Sequence, residues 1–191
     1  KAADSFDGVA FHSYSSNGTV QKHIYSAFPE KEIVVTEGSG LGNSFLNSIF
    51  THASKIISCL RNQGSGYILW NLALSNKNGP LTYQASSKCD PLIMVDYVNP
   101  DNTEEYKGYK YTSEYYVLAH FSKFIRPGAR QVFSTEADTV KNVSCLNEDG
   151  TLATVVTNTS IKPQTIKLVF GDKVVEYTAP ASSIVTFVWN T

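Results

Sequence analysis

One carboxylate stands where a predicted strand ends. Glu37 closes the run Ile33–Thr36, whose β-branched composition favours a buried strand. α/β barrels place their catalytic groups at the carboxyl ends of parallel strands, so this position predicts a functional carboxylate. The alternative interpretation is a solvated carboxylate with no chemical role.

Two further polar side chains follow the first predicted strand in the order His-Ser-Tyr. His12 and Tyr14 are two residues apart, so an extended chain places both on the same side. At the same strand ends as Glu37, they become candidate hydrogen-bond partners of a carboxylate. A structural role for the histidine is the alternative.

An aromatic residue ends the next predicted strand, Tyr67–Trp70. Trp70 at the mouth of a barrel offers a flat apolar wall on which a sugar ring can lie. The alternative is that the indole packs in a core.

The composition limits the classes of protein and partner. Of the 191 residues, 42% are hydrophobic and 12% aromatic, which is enough for a packed core. The net charge of -1 lacks the basic excess of a nucleic-acid-binding protein, and no apolar run is long enough to span a membrane. Polarity comes from Ser, Thr, Asn and 11 Tyr, which suits neutral polar ligands such as sugars.

No metal or cofactor site is predicted. The glycine-rich stretch 38–42 lacks the GK[ST] of a phosphate loop and the spacing of a dinucleotide-binding motif. The four histidines show no ligand spacing, and the three cysteines form no CxxC pair.

The first part of the chain alternates predicted strands and helices. This order is typical of parallel βαβ units, and therefore of an α/β fold. The predicted strands are Phe6–His12, Ile33–Glu37, Tyr67–Trp70 and Leu92–Val95; the predicted helices are Thr19–Phe28, Leu46–Leu60 and one beginning near Thr112; a long loop is predicted over Ser75–Asp90.

From about Ala129 the hydrophobic period changes to two. About six short strands are predicted between Arg130 and Trp189, which indicates an antiparallel β-sandwich. The predicted fold class is therefore α/β followed by all-β. The predicted domains are 1–128 and 129–191, with little linker between them.

Five segments in order resemble the C-terminal part of glycoside hydrolase family 30, and in particular its glucosylceramidase-like and endo-β-1,6-glucanase-like members. They are Val9–Tyr14, Ile33–Gly38, Trp70–Leu74, Pro91–Asp96 and Leu118–Gly128. The resemblance covers nearly the whole chain. It implies strands six to eight of a (β/α)₈ TIM barrel, followed by a β-sandwich side domain.

The resemblance also implies roles for single residues. Glu37 matches the nucleophile of a retaining β-glycosidase that acts by double displacement, and His12, Tyr14 and Trp70 match residues that line the sugar site. The implied partner is a β-linked glycan or glycoside. The implied location is secreted or extracellular, with the signal peptide outside this sequence.

The sequence departs from the family in one important respect. The acid/base glutamate of the family lies in an Asn-Glu-Pro motif, and this sequence contains no Asn-Glu-Pro. The chain is therefore predicted to be incomplete and inactive without the N-terminal half of the barrel. The loop sequence Asn78–Leu81 also differs from the Gly-Gly-Pro-Asn of many members.

A second class of function remains open. A non-catalytic carbohydrate-binding or structural β-sandwich module is compatible with the second half of the sequence. Such a module has no need of Glu37, His12 and Trp70 at three strand ends, and this favours the hydrolase hypothesis.

Overall fold

A computed structural model describes residues 2–14, 18–41, 45–76, 89–99 and 102–191. The chain divides into two compact units, Lys1–Tyr116 and Val117–Thr191, and the division falls inside a helix. The fold is mostly β-sheet with few helices. The domain boundary at residue 128 stays a prediction.

Over its described residues, the first unit contains eight strands, two complete α-helices and the first turn of a third. In chain order they are β1 (Gly8–His12), α1 (Gly18–Ala27), β2 (Glu32–Gly38), β3 (Gly40–Leu41), α2 (Phe45–Arg61), β4 (Gly66–Leu69), β5 (Ala73–Ser75), β6 (Cys89–Asp90), β7 (Ile93–Asn99), β8 (Asn102–Tyr111) and α3 (Ser113–Ser122). Among the described residues, no helix has both the length and the apolar character needed to cross a membrane.

Three parallel strands in the order β1-β2-β4 form the sheet that carries the candidate site residues. A helix follows β1 and another follows β2, as the alternating sequence pattern predicted. Ile33 and Val35 of the central strand are buried, which explains the apolar, β-branched composition of this segment. Trp70, predicted as the last residue of its strand, lies immediately after β4.

Helix α2 corresponds to the predicted helix Leu46–Leu60 and buries one face. Ile49, Ala53, Ile56 and Ile57 are buried at the spacing of one helical face. The helix packs against β4 and α1. Leu46 lies in the first turn and is 48% exposed.

A second sheet of the first unit was largely missed by the sequence analysis. Its strands pair in the order β5-β7-β8, with β5 parallel and β8 antiparallel to β7. The predicted strand Leu92–Val95 corresponds to β7, whereas no strand is predicted at β8, because Asn, Glu and Lys interrupt its tyrosines. Residues 77–88, including Asn78–Leu81, lie outside the described residues.

A buried carboxylate joins α2 to the start of α3. Glu114 is 2% exposed and accepts hydrogen bonds from the hydroxyls of Ser48 and Ser113. His52 Nε2 lies 3.8 Å from its Oε1 atom. Burial lowers the pKa of His52, although the nearby carboxylate acts in the opposite direction. The hydroxyls of Ser48 and Ser113 therefore satisfy the hydrogen-bonding capacity of this buried carboxyl group.

The second unit is built from two antiparallel sheets. Its strands are β9 (Arg130–Val132), β10 (Val140–Leu146), β11 (Thr151–Asn158), β12 (Gln164–Phe170), β13 (Lys173–Ala179) and β14 (Ser183–Asn190). One sheet has the order β14-β11-β10-β9, and the other pairs β12 with β13. The six strands predicted between Arg130 and Trp189 are thus confirmed.

Residues from both sheets form the core of this unit. Val156, Ile166 and Ala179 are buried together, and Val185 and Phe187 pack against them. Almost every residue of β11 is buried, because this strand is central in its sheet. Gly150 lies between β10 and β11, Gly171 lies between β12 and β13, and both glycines adopt positive φ angles.

We expect Glu114→Ala to lower the free energy of unfolding by about 2–4 kcal/mol, because it leaves two buried serine hydroxyls without their acceptor. Guanidinium unfolding of the wild-type and variant proteins measures this difference. Glu176→Ala, on the exposed strand β13, is the matched control and should change the value by less than about 0.5 kcal/mol. Equal effects of the two substitutions would contradict the role of the buried cluster.

Candidate functional site

The carboxyl ends of β1 and β2 bring His12 and Glu37 together. These residues are register partners in the parallel sheet, and His12 Nε2 lies 3.6 Å from Glu37 Oε2. The Glu37 side chain is 23% exposed, whereas that of His12 is 59% exposed. The carboxylate is therefore sheltered but open to a ligand from one side.

Tyr14 is the second side chain that contacts this carboxylate. Its hydroxyl hydrogen-bonds to Glu37, and the rings of Tyr14 and His12 meet edge to face with centroids 6.1 Å apart. Burial and, after it, the hydrogen bond and negative charge of Glu37 raise the pKa of Tyr14 well above its usual value. The phenol is thus a permanent donor to the carboxylate.

A cation lies over the ring of Tyr14. The Nζ atom of Lys55, on α2, is 5.8 Å from the centroid of the Tyr14 ring. Burial lowers the pKa of this lysine. The contact connects α2 to the segment that follows β1 and helps to orient the Tyr14 ring.

Trp70 joins the site through its backbone. Its N–H donates to the carbonyl of Gly38, the residue after Glu37, at 2.7 Å. The indole is 41% exposed, which argues against the core-packing interpretation. Its ring is thus available to a ligand at the end of β4, directly beside the strand end that carries Glu37.

Two polar residues that were not predicted as site residues link these strand ends. Ser13 donates its N–H to the carbonyl of Glu37 at 2.8 Å, and the hydroxyl of Tyr67 donates to Ser13 Oγ at 2.9 Å. Burial raises the pKa of Tyr67 to about 12. The sequence offers one signal for them, because Ser13 lies between His12 and Tyr14 and Tyr67 lies three residues before Trp70. A serine and a tyrosine at such positions are also ordinary strand residues.

Comparisons with known proteins relate the chain to glycoside hydrolases. Residues 128–187 match the family described as "Glycosyl hydrolase family 30 beta sandwich domain". An endo-1,6-beta-D-glucanase from Trichoderma harzianum is 29% identical over 167 residues, which are 83% of this chain and 32% of that protein. The chain is therefore similar to members of glycosyl hydrolase family 30.

Two further family 30 comparisons extend over the whole chain. The lysosomal acid glucosylceramidase of Mus musculus is 29% identical over 208 residues, covering 100% of this chain and 38% of that protein. A solved endo-beta1,6-glucanase superposes with a TM-score of 0.84 and 29% identity, covering 99% of this chain and 42% of that chain.

The relatives named above are glycoside hydrolases, and the resemblance to family 30 indicated by the sequence is confirmed. The chain spans about a third of the length of the curated relatives it matches. The superposition on the solved glucanase includes residues of both compact units, since it covers 99% of this chain.

Proposed function

We propose that this chain is the C-terminal portion of a retaining β-glycoside hydrolase with Glu37 as its nucleophile. The supporting observation is the geometry of Glu37 at the end of β2, partly buried, 3.6 Å from His12 and hydrogen-bonded by Tyr14. A carboxylate held in this way is oriented and remains open to a substrate.

The proposed reaction has two displacements. A carboxylate oxygen of Glu37 bonds to the anomeric carbon while the glycosidic C–O bond breaks, and the leaving oxygen takes a proton from a second carboxyl group. That group then removes a proton from water, whose oxygen replaces Glu37 at the anomeric carbon. The two carboxyl groups must lie about 5–5.5 Å apart.

The residues around Glu37 have separate proposed tasks. The Tyr14 hydroxyl stabilises the carboxylate in one orientation, since hydrogen bonds to a charged acceptor are strong and directional. His12 lies on the exposed side and is placed to bind sugar hydroxyls. Trp70 supplies the apolar surface for the face of the sugar ring.

The second carboxyl group is proposed to come from the N-terminal half of a TIM barrel. In this proposal β1, β2 and β4 are strands six to eight of the barrel, residues 1–128 are its C-terminal part, and 129–191 are the β-sandwich side domain. Within the described residues, β1 and β4 each pair with β2 alone, so each retains an open edge. A closed barrel pairs both edges.

The proposed substrate is a β-linked glycan or glycoside. The named relatives are endo-1,6-beta-D-glucanases and glucosylceramidases, so a β-glucoside is the common element. We propose a secreted or extracellular location, as the sequence resemblance implied. No cofactor has a place in this mechanism, because carboxyl groups carry every proton transfer.

A groove in the second unit favours the second candidate function, a carbohydrate-binding module. The second unit contains a groove of about 570 Å³ lined in part by Phe133, Phe170 and Trp189. Phe133 is 87% exposed. Loss of glycan binding on Phe133→Ala, with none on Trp70→Ala, would favour the binding module over the hydrolase.

We expect Glu37→Ala in the complete enzyme to lower turnover of an aryl β-glucoside by at least about 10⁴-fold, because the nucleophile is removed. Added azide should restore part of the activity, and a fluorinated glycoside should label Glu37 in the wild type. Glu32→Ala, on the exposed start of the same strand, is the control. Labelling of another carboxylate would contradict the assignment.

Tyr14→Phe should reduce kcat by about 10- to 100-fold, the effect of one hydrogen bond to a charged group. Because the pKa of Tyr14 is raised, the phenol stays protonated across the working range. The loss should therefore be the same factor at every pH between about 5 and 8. Tyr25→Phe, on α1, is the control, and a strongly pH-dependent loss would argue against a simple donor.

The isolated 191-residue chain should not hydrolyse aryl β-glucosides, because it lacks the proton donor. The measurement is turnover by the purified chain, compared with the complete protein at equal concentration. Turnover that disappears on Glu37→Gln would show that the chain contains its own second carboxyl group.

A further inference from the structure

We propose that Tyr67 and Ser13 form a positioning pair that holds Glu37 for attack. The role rests on the proposed function, since it needs Glu37 to be the nucleophile. The pair does not touch the substrate. It acts on the backbone of the residues next to Glu37 and on the segment that carries His12 and Tyr14.

The hydrogen bond of this pair connects the two outer strands of the sheet across β2. Tyr67 lies on β4, and its hydroxyl donates to Ser13 Oγ at 2.9 Å. Ser13 lies between His12 and Tyr14, and its N–H donates to the carbonyl of Glu37 at 2.8 Å. Two hydrogen bonds in series thus connect β4, the end of β1 and the nucleophile.

Gly38 shows how closely the pair approaches the nucleophile. A Cβ atom added at Gly38 would collide with the Tyr67 hydroxyl oxygen and would lie 2.7 Å from Ser13 Oγ. Both oxygens therefore rest against the residue that directly follows Glu37. Any movement of the pair changes the space in which this part of the backbone is held.

Both side chains border open space on one side. Ser13 and Tyr67 line a cavity of about 180 Å³, together with Gln21, Lys55 and Cys59. On that side no neighbouring side chain holds them, so in this proposal the Tyr67–Ser13 hydrogen bond keeps both groups in one position.

The protonation of Tyr67 separates this role from acid/base chemistry. Burial raises its pKa to about 12, so its hydroxyl donates at every pH at which glycosidases work. A variant that lacks only this hydroxyl should lower kcat by the same factor across the pH profile. A displacement of the nucleophile affects the chemical step more than substrate binding, so KM should change little.

The first experiment compares Tyr67→Phe, Ser13→Ala and the double variant of the complete enzyme, with 4-nitrophenyl β-glucoside as substrate. We expect each single variant to lose about 10- to 100-fold in kcat with less than about twofold change in KM and an unchanged pH optimum. The kcat of the double variant should be within about twofold of that of the less active single variant, because each single variant already removes the same hydrogen bond. Ser58→Ala, which lines the same cavity, is the control and should keep its kcat.

The second experiment tests the contact with Gly38. Gly38→Ala should strongly reduce kcat in the wild type, because its methyl group meets the two oxygens. In the Ser13→Ala/Tyr67→Phe background, the fold-loss in kcat caused by Gly38→Ala should be at least about fivefold smaller than in the wild type, because the two oxygens are absent. Labelling of Glu37 by a fluorinated glycoside, followed by mass spectrometry, gives a second measure of nucleophile placement.

The outcomes separate the two proposals. Loss of activity in Glu37→Ala with full kcat in Tyr67→Phe overturns the positioning pair alone. Full activity in Glu37→Ala overturns the proposed function and the pair with it. A loss of kcat in Tyr67→Phe that comes with an equal loss in Ser58→Ala, or with a lowered melting temperature and a raised KM, also overturns the pair, since it indicates general loosening of the fold.

Discussion

The hydrogen bonds between the ends of three parallel strands are the constraint on which the candidate site depends. Ser13 donates to the carbonyl of Glu37, and Trp70 donates to the carbonyl of Gly38, at 2.8 and 2.7 Å. Each strand enters the site at the same edge because parallel strands point the same way. Residues far apart in the sequence therefore meet beside Glu37.

Burial of apolar side chains stabilises this edge of the sheet. Ile33 and Val35 of β2 are buried, and the apolar face of α2 is buried in the same unit. The hydrophobic effect thus stabilises the strand that carries Glu37, whereas hydrogen bonds fix the geometry at its end. The position of Tyr14 is also fixed by polar and ring contacts. Its hydroxyl bonds to Glu37, and its ring contacts His12 and Lys55.

The two units differ in what the family comparison adds. For residues 128–187 the match names a β-sandwich domain, which agrees with the six strands and the core shared by two sheets. For the first unit, the comparisons give similarity to a solved endo-beta1,6-glucanase that shares its fold. Its chemistry is argued from the local geometry of Glu37, His12, Tyr14 and Trp70, and that argument calls for a carboxyl group from outside this sequence.

The sequence by itself determined the alternation of strands and helices, the change to a period of two near Ala129, and the placement of His12, Tyr14, Glu37 and Trp70 at strand ends. These features follow from local periodicity and residue type. The tertiary structure alone decided that β8 pairs with β7, that Glu114 is buried between serines, and that Tyr67 reaches Ser13 beside Gly38. Each of these depends on partners distant in the sequence, and the energy of a contact between distant residues leaves no periodic signal in either segment.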